Sequence, residues 1–490
     1  MMSKVRAAIR FIDFKIGGVL LIFFAYAPGV FKESFWSDDY VALLNPSGSL
    51  THALKDARPV AAGIFYLSFS ILDSPQHAWI LRSLALSVLI LIFLFISNQI
   101  RHSKHRNIGY FSMAIAFCLP SFQMYIHWTL TWFFLWAALA GLYAFHFWTS
   151  TVKSRKIFAI ILIVLALTIY PPTALFYFSV ITFVNVLNSS KLPKIFLDFV
   201  WGLALLVIGG VTSIFTAFVS MQFAGVSPNP RVSLITISNI PEKIVWLISR
   251  PGVVGLRPFM IDSPSPTTAF LTSIPVILLL VMGIRRQSIE LGESIFGRAL
   301  CVLIPPILTL IPIMITSDNQ IEFRLLPGYC WGIAALATFY FLVALQDRLL
   351  SLDLKSIFKT LIFLLVPIFL TLLSVASLNS HYVDLFENPY KKKNIYLNSK
   401  ISSCTRVALF THVSILPPRI PFPSLPRLGV FSMTTDLASS WVPKPNVELL
   451  LKLRKIDASV FYLEVRPPIF ESSKTNCVID LEEYRKTLIR

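Results

Sequence analysis

Eleven apolar stretches, near residues 16–32, 78–100, 107–123, 129–148, 157–170, 173–187, 196–219, 269–284, 299–316, 327–345 and 360–378, limit what this chain can fold into. A bilayer is crossed by about 20 apolar residues in a helix, because lipid offers no hydrogen-bond partner to an exposed backbone N–H or C=O. The stretches predict an all-α polytopic membrane protein of about 11 transmembrane helices. Of the 490 residues, 55% are hydrophobic and 14% charged, too few polar side chains to clothe a water-soluble fold of this length. Composition thus excludes a soluble enzyme, a secreted disulfide scaffold and a disordered regulator.

A net charge of +18 invites a reading as a nucleic-acid binder, but the position of the bases decides otherwise. With Lys4, Arg6, Arg10 and Lys15 ahead of the first span, a cytoplasmic N-terminus places the segments 101–106, 153–156, 191–194, 285–298 and 348–359 inside as well. With Asp347 at the edge of the last, these segments and the N-terminal tail hold 18 Lys and Arg against five acids, whereas the segments on the other side, before the C-terminal tail, hold nine of each. That is the positive-inside pattern, and it places the tail from Asn379 outside. Ala25-Tyr26-Ala27 outlines a signal-peptidase site, but Pro28 after it disfavours cleavage, so the first span reads as an uncleaved anchor.

Cys118, Cys301 and Cys330 fall in predicted spans as small apolar residues, while Cys404 and Cys477 lie in the outside tail, where an oxidising compartment permits a disulfide. No Cys or His pair has zinc spacing, and neither a P-loop nor a dinucleotide fingerprint is present. The chain divides into a transmembrane part, residues 1–378, and a C-terminal part, residues 379–490. In the latter, Arg406–His412, Leu428–Met433 and Ser459–Val465 read as strands and Val447–Ile456 as a helix, which together predict a small α/β domain. Pro417–Pro426, with five prolines, reads as an extended connector.

Two outer loops, 33–77 and 220–268, exceed what joining two spans requires. In the second, Asn239-Ile240-Pro241-Glu242-Lys243 starts a helix with Ile244, Val245, Leu247 and Ile248 at amphipathic spacing, suited to the membrane surface. The first carries Phe35-Trp36-Ser37-Asp38-Asp39-Tyr40. Two adjacent carboxylates at a membrane interface need water or a task, and on a helix they point about 100° apart, so one at most faces a given reacting atom. A general base that takes the proton of an attacking hydroxyl is one such task, and an N-cap for a short interfacial helix is another. Further on, Arg58 precedes Pro59, which opens an apolar helix over Val60–Leu72; Arg82 lies near the outer end of the second span and Arg324 ahead of the tenth. Arginines at the outer rim suit a lipid-linked phosphate and equally suit snorkelling to headgroups.

A first span, a long external loop with an acidic pair, an Arg-Pro opening an apolar helix and many further spans resemble the GT-C glycosyltransferases. The nearest resemblance is to the GtrII-type glucosyltransferases of bacterial O-antigen. Ile169-Tyr170-Pro171-Pro172 at a turn where that group often has Tyr-Gln, Arg324, and Thr435-Asp436-Leu437-Ala438-Ser439-Ser440-Trp441 agree with it. The resemblance implies a transferase of the bacterial inner membrane with a periplasmic C-terminus. It would move a hexose, glucose above all, from undecaprenyl phosphate to O-antigen or a related lipopolysaccharide glycan with inversion. It implies Asp38 as base, with Asp39 orienting it, binding a sugar hydroxyl or holding a divalent metal. It also implies Arg58, Arg324 and Arg82 as ligands of the donor phosphate, and Trp36, Tyr40 and Tyr170 as sugar or acceptor contacts. A polysaccharide polymerase or ligase of the outer leaflet shares the spans and arginines without needing the acidic pair. A transporter would show paired mid-membrane charges or breaks, and these spans carry few.

Orientation is open to direct test. A reporter active only outside the cytoplasm should be active when fused after Thr268 or Arg490 and silent after Arg106 or Arg286. The opposite pattern would reverse the orientation.

Overall fold

In the computed structural model, residues 14–489 are described apart from 33–34, 37, 73, 262–264, 318, 320–322, 352–355, 408–410, 420, 423–436, 438–441 and 464–475. The architecture is helical, with a small sheet near the C-terminus. Six helices among the described residues are long and apolar enough to cross a membrane: Pro75–Gln99, Thr129–Trp148, Leu192–Ala224, Thr267–Leu291, Pro327–Leu349 and Leu365–Tyr382. Phe14–Val30, Pro59–Ile71, Pro171–Leu187 and Ile295–Leu308 are apolar but shorter. This is an all-α membrane protein with a strand-containing tail.

Helix ends follow local chemistry. Proline opens Pro46–Lys55, Pro59–Ile71, Pro120–His127 and Pro171–Ala174, where its missing N–H costs nothing. The side chains of Asn45, Ser265 and Ser294 accept from N–H groups three residues on. Gly225 and Gly292, at φ 62° and 66°, close the Leu192–Ala224 and Pro266–Leu291 helices in the left-handed conformation. The apolar stretch 107–123 is two helices rather than one, Arg106–Phe117 and Pro120–His127, because Pro120 cannot donate to the preceding turn.

The C-terminal unit holds three parallel strands, β1 (His412–Leu416), β2 (Ser459–Tyr462) and β3 (Asn476–Asp480), in the order β2-β1-β3. The Pro443–Leu453 helix lies between β1 and β2 in sequence, as a parallel pair requires. Val413, Ile415, Val447, Leu451, Ile479 and Tyr484 fill its core. The strand over Ser459 stands where the alternation puts it, whereas the one over Arg406–His412 does not: Arg406 and Val407 end the Asn388–Val407 helix and pairing starts at His412. Leu428–Met433 lies outside the described residues, and β3 was not anticipated. A disulfide joins Cys404 to Cys477, tying the end of that helix to β3. No linker separates the two parts, since helical structure runs on from Ser356–Tyr382 through Val383–Glu387 and Asn388–Val407. Leu378, Tyr382, Phe386 and Tyr390 belong to the membrane core, and Leu397 and Ile401 to that of the sheet.

One polar knot fastens the end of the bundle away from the acidic pair. Arg298, fully buried, donates from Nη1 to Glu293 Oε2 (2.6 Å) and Ser190 O (3.3 Å), and from Nε to Gln287 Oε1 (3.3 Å). Gln287 donates to Val186 O and accepts from the Tyr340 hydroxyl, while Glu293 Oε1 accepts from Leu192 N. The knot ties five helices, those of Val186, Leu192, Gln287, Arg298 and Tyr340. Arg298→Ala leaves Glu293 without its cation, so unfolding in detergent should show a loss of about 3 kcal/mol, the scale of a broken buried pair. An unchanged melting temperature would show that the knot is dispensable.

Candidate active site

The acidic pair begins the Asp38–Leu44 helix, and its two carboxylates have different surroundings. Asp39 is fully buried: Trp36 N donates to its Oδ2 (3.0 Å) and Leu130 N to its Oδ1 (2.7 Å). It therefore joins the first outer loop to the turn at Thr129–Thr131. Arg82 braces the same corner, donating from Nε and Nη2 to Thr129 Oγ1 (3.2 and 3.0 Å) and from Nη1 to Lys32 O (2.9 Å). Burial pushes the Asp39 carboxyl up to about 7, against the opposing pull of the Trp36 N–H, the Arg82 guanidinium and the Leu130 N–H.

Asp38 instead lines a cavity of about 360 Å³. Arg58, Arg324 and Tyr170 line the same cavity, so residues from four parts of the chain converge there. Arg58 is positioned by the end of the Pro46–Lys55 helix. Ala57 stands at φ 60°, and Ala57 N bonds Leu54 O (2.9 Å) while Arg58 N bonds Ala53 O (3.0 Å), a Schellman turn with alanine in glycine's usual place. The turn sets Asp56 Oδ2 3.9 Å from Arg58 Nη2. Asp56 is also 3.8 Å from His52 Nε2 and accepts from Asn229 Nδ2 (3.3 Å), a residue of the second outer loop. The Arg58 guanidinium lies 5.0 Å from the centre of the Tyr170 ring, which is stacked on Phe134 at 3.8 Å. Arg324 lies 5.0 Å from the Trp128 ring, and its carbonyl accepts from the Tyr125 hydroxyl.

The rest of the cavity is apolar. Leu206, Gly210, Ile214 and Ala217 of the Leu192–Ala224 helix form a long wall, with Leu167 and Leu175 beside it. A β-carbon added at Gly210 would meet nothing within 4 Å, so the wall is open there.

Of the residues singled out in sequence, the cavity gathers Asp38, Arg58, Arg324 and Tyr170. It does not gather Asp39, Arg82, Trp36 or Tyr40. Asp39 and Arg82 are spent on the corner just described. Trp36 is buried with its ring 5.6 Å from Phe386, and the Tyr40 hydroxyl accepts from Lys393 Nζ (2.7 Å) beneath the tail. His52 and Asp56 were missed, although Asp56 lies within the Lys55–Pro59 segment that pointed to Arg58. The Thr435–Trp441 motif, Leu437 excepted, lies outside the described residues. Among the described residues no three His, Cys, Asp or Glu side chains gather as metal ligands. No model of a known protein family matches the chain, and no curated protein matches it.

Asp39 makes stability depend on pH. Unfolded, its carboxyl titrates near 4; folded, near 7, so between these values the folded chain holds a proton that the unfolded chain releases. Stability should therefore be greatest below pH 4, decline by up to about 4 kcal/mol as pH rises to about 7, and change no further through this group. Thermal unfolding of wild type and Asp39→Asn across that range checks it: the variant should lack this part of the slope, and parallel curves would refute the assignment.

Proposed function

We propose that the chain is a GT-C-type glycosyltransferase of the bacterial inner membrane, crossing it about 11 times with the N-terminus cytoplasmic and the tail periplasmic. It moves a hexose from a polyprenyl-phosphate donor to a surface polysaccharide, O-antigen or a related glycan, at the outer leaflet. The observation that carries this reading is the make-up of the cavity: two guanidiniums, Arg58 and Arg324, beside the carboxylates Asp38 and Asp56, the latter paired with Arg58, and a lipid-compatible wall along the Leu192–Ala224 helix. A polyprenyl phosphate has the same division, an anionic head on a long apolar chain.

In the reaction proposed, an acceptor hydroxyl attacks the anomeric carbon from the face opposite the phosphate. Asp38 takes the hydroxyl proton as the new C–O bond forms. The old bond from the anomeric carbon to the phosphate oxygen breaks, and its electron pair leaves with the polyprenyl phosphate. Arg58 and Arg324 stabilise the charge that gathers on that phosphate. No covalent sugar intermediate is needed, and a single displacement inverts the anomeric carbon. Asp56 and the Tyr170 ring hold the Arg58 guanidinium in place, which supports the reading of this arginine as a positioned ligand rather than a snorkelling one. Asp39 supports the base indirectly, by fixing the helix that carries Asp38.

The test supplies the purified protein with radiolabelled polyprenyl-phosphate hexoses and lipid-linked glycan acceptors. Asp38→Asn should lower transfer at least about 100-fold with insertion unchanged. Arg58→Lys and Arg324→Lys keep the charge but lose the planar fork, and each should lower kcat/KM about tenfold or more. Near-normal turnover in the Asn variant removes the proposed base; full activity in both lysine variants removes the phosphate clamp.

A further inference from the structure

A second cavity, of about 510 Å³, lies at the other end of the same helices. Phe134 lines the first cavity and His146 the second, roughly 18 Å apart along one helix; Ala217 and Lys194 are likewise separated by roughly 34 Å along another. The farthest lining residues on the second of these helices, Ala217 and Lys194, are thus about as far apart as the roughly 30 Å of a hydrocarbon core, which puts the Lys194 end of the second cavity towards the headgroups of the opposite leaflet. The surroundings agree: Lys156 Nζ stands 5.8 Å from the Trp148 ring and 5.2 Å from the Trp201 ring, aromatic and basic side chains side by side as at a membrane interface.

The cavity carries both signs of charge. Asp198 accepts from Asn185 Nδ2 (2.9 Å) and, at both oxygens, from Lys194 Nζ (3.2 and 2.9 Å). Aromatic walls stand beside it: Tyr177, fixed by its bond to Gly202 O (2.9 Å), is stacked on Phe145, and Trp201 lines the rim. Leu197 lines the cavity and is 53% exposed, so the way out runs over an apolar surface.

We propose that this cavity binds the headgroup of a zwitterionic phospholipid, a phosphate linked through two carbons to an ammonium. The phosphate meets Lys194 in the cavity and Lys156 beyond the Trp201 ring at its edge, the ammonium meets Asp198 and the aromatic walls, and the acyl chains run out past Leu197. A purely anionic headgroup would face Asp198, and a purely cationic ligand would face the two lysines. The site is independent of glycosyl transfer, because no residue of it lines the Asp38 cavity.

The experiment is native mass spectrometry of the detergent-purified chain given equal amounts of phosphatidylethanolamine and phosphatidylglycerol. Wild type should retain the former over the latter by about fivefold or more, and the preference should disappear in Asp198→Asn. Trp201→Ala, which leaves the Lys194–Asp198 pair untouched, should lower retention of phosphatidylethanolamine if the Asn variant fails to fold. Glycerophosphoethanolamine, which has no acyl chains, should compete at least about tenfold more weakly than the lipid. Equal retention of both lipids, a preference that survives both substitutions, or a chainless competitor as good as the lipid would each overturn the proposal.

Discussion

In hydrocarbon every backbone donor and acceptor has to be satisfied by protein, and this chain contains many places where a helix stops inside the bundle. Side chains from distant segments close those gaps. Tyr26 donates to Phe117 O, Gln123 to Leu378 O, Thr173 to Phe134 O, Ser179 to Gly328 O and Ser103 to Leu187 O. Phe117 and Leu187 are the last residues of their helices, so the bonds to them fill carbonyls that the helix itself leaves open. The breaks at Pro120 and Pro171 are thereby tolerated, and the turns they make bring Tyr125, Trp128 and Tyr170 towards the cavity and its arginines. The irregular backbone and the polar cavity thus have one origin.

The two neighbouring carboxylates divide support from chemistry. About 100° of helical rotation puts one into the core and the other into the cavity. Asp39 can stay buried because two N–H groups point at it, whereas Asp38 lines the cavity. Exchanging their roles would require turning the helix, and Tyr40, held by Lys393, opposes that.

Much of this was legible in the sequence. Hydropathy marked the apolar helices, Pro59 marked the helix after Arg58, and the spacing of the acids required them to diverge. What periodicity does not reveal is the inward use of long polar side chains. Arg82, Trp36 and Tyr40 have the composition of a binding rim, yet each is consumed in packing, because an arginine that finds carbonyl and hydroxyl acceptors is stable without solvent. Asp56 escaped notice because its value comes from Asn229, far away in sequence, and from the left-handed turn at Ala57, a conformation that composition does not announce in a residue other than glycine. β3 is short and bounded by Asn476 and Asp480, so it gives no alternation to read.

Contacts around the acidic pair also differ in when they can form. Leu130 is 91 residues from Asp39, but Lys393 is 353 residues from Tyr40. At roughly 5–20 residues per second, synthesis of that interval takes on the order of tens of seconds. The nascent first loop therefore acquires its Asp39 latch early and its cover from the tail late. During the wait the latch alone keeps the helix of Asp38 from wandering, and a chain that lost it would present an unanchored amphipathic segment to the insertion machinery long before the tail arrived to hold it.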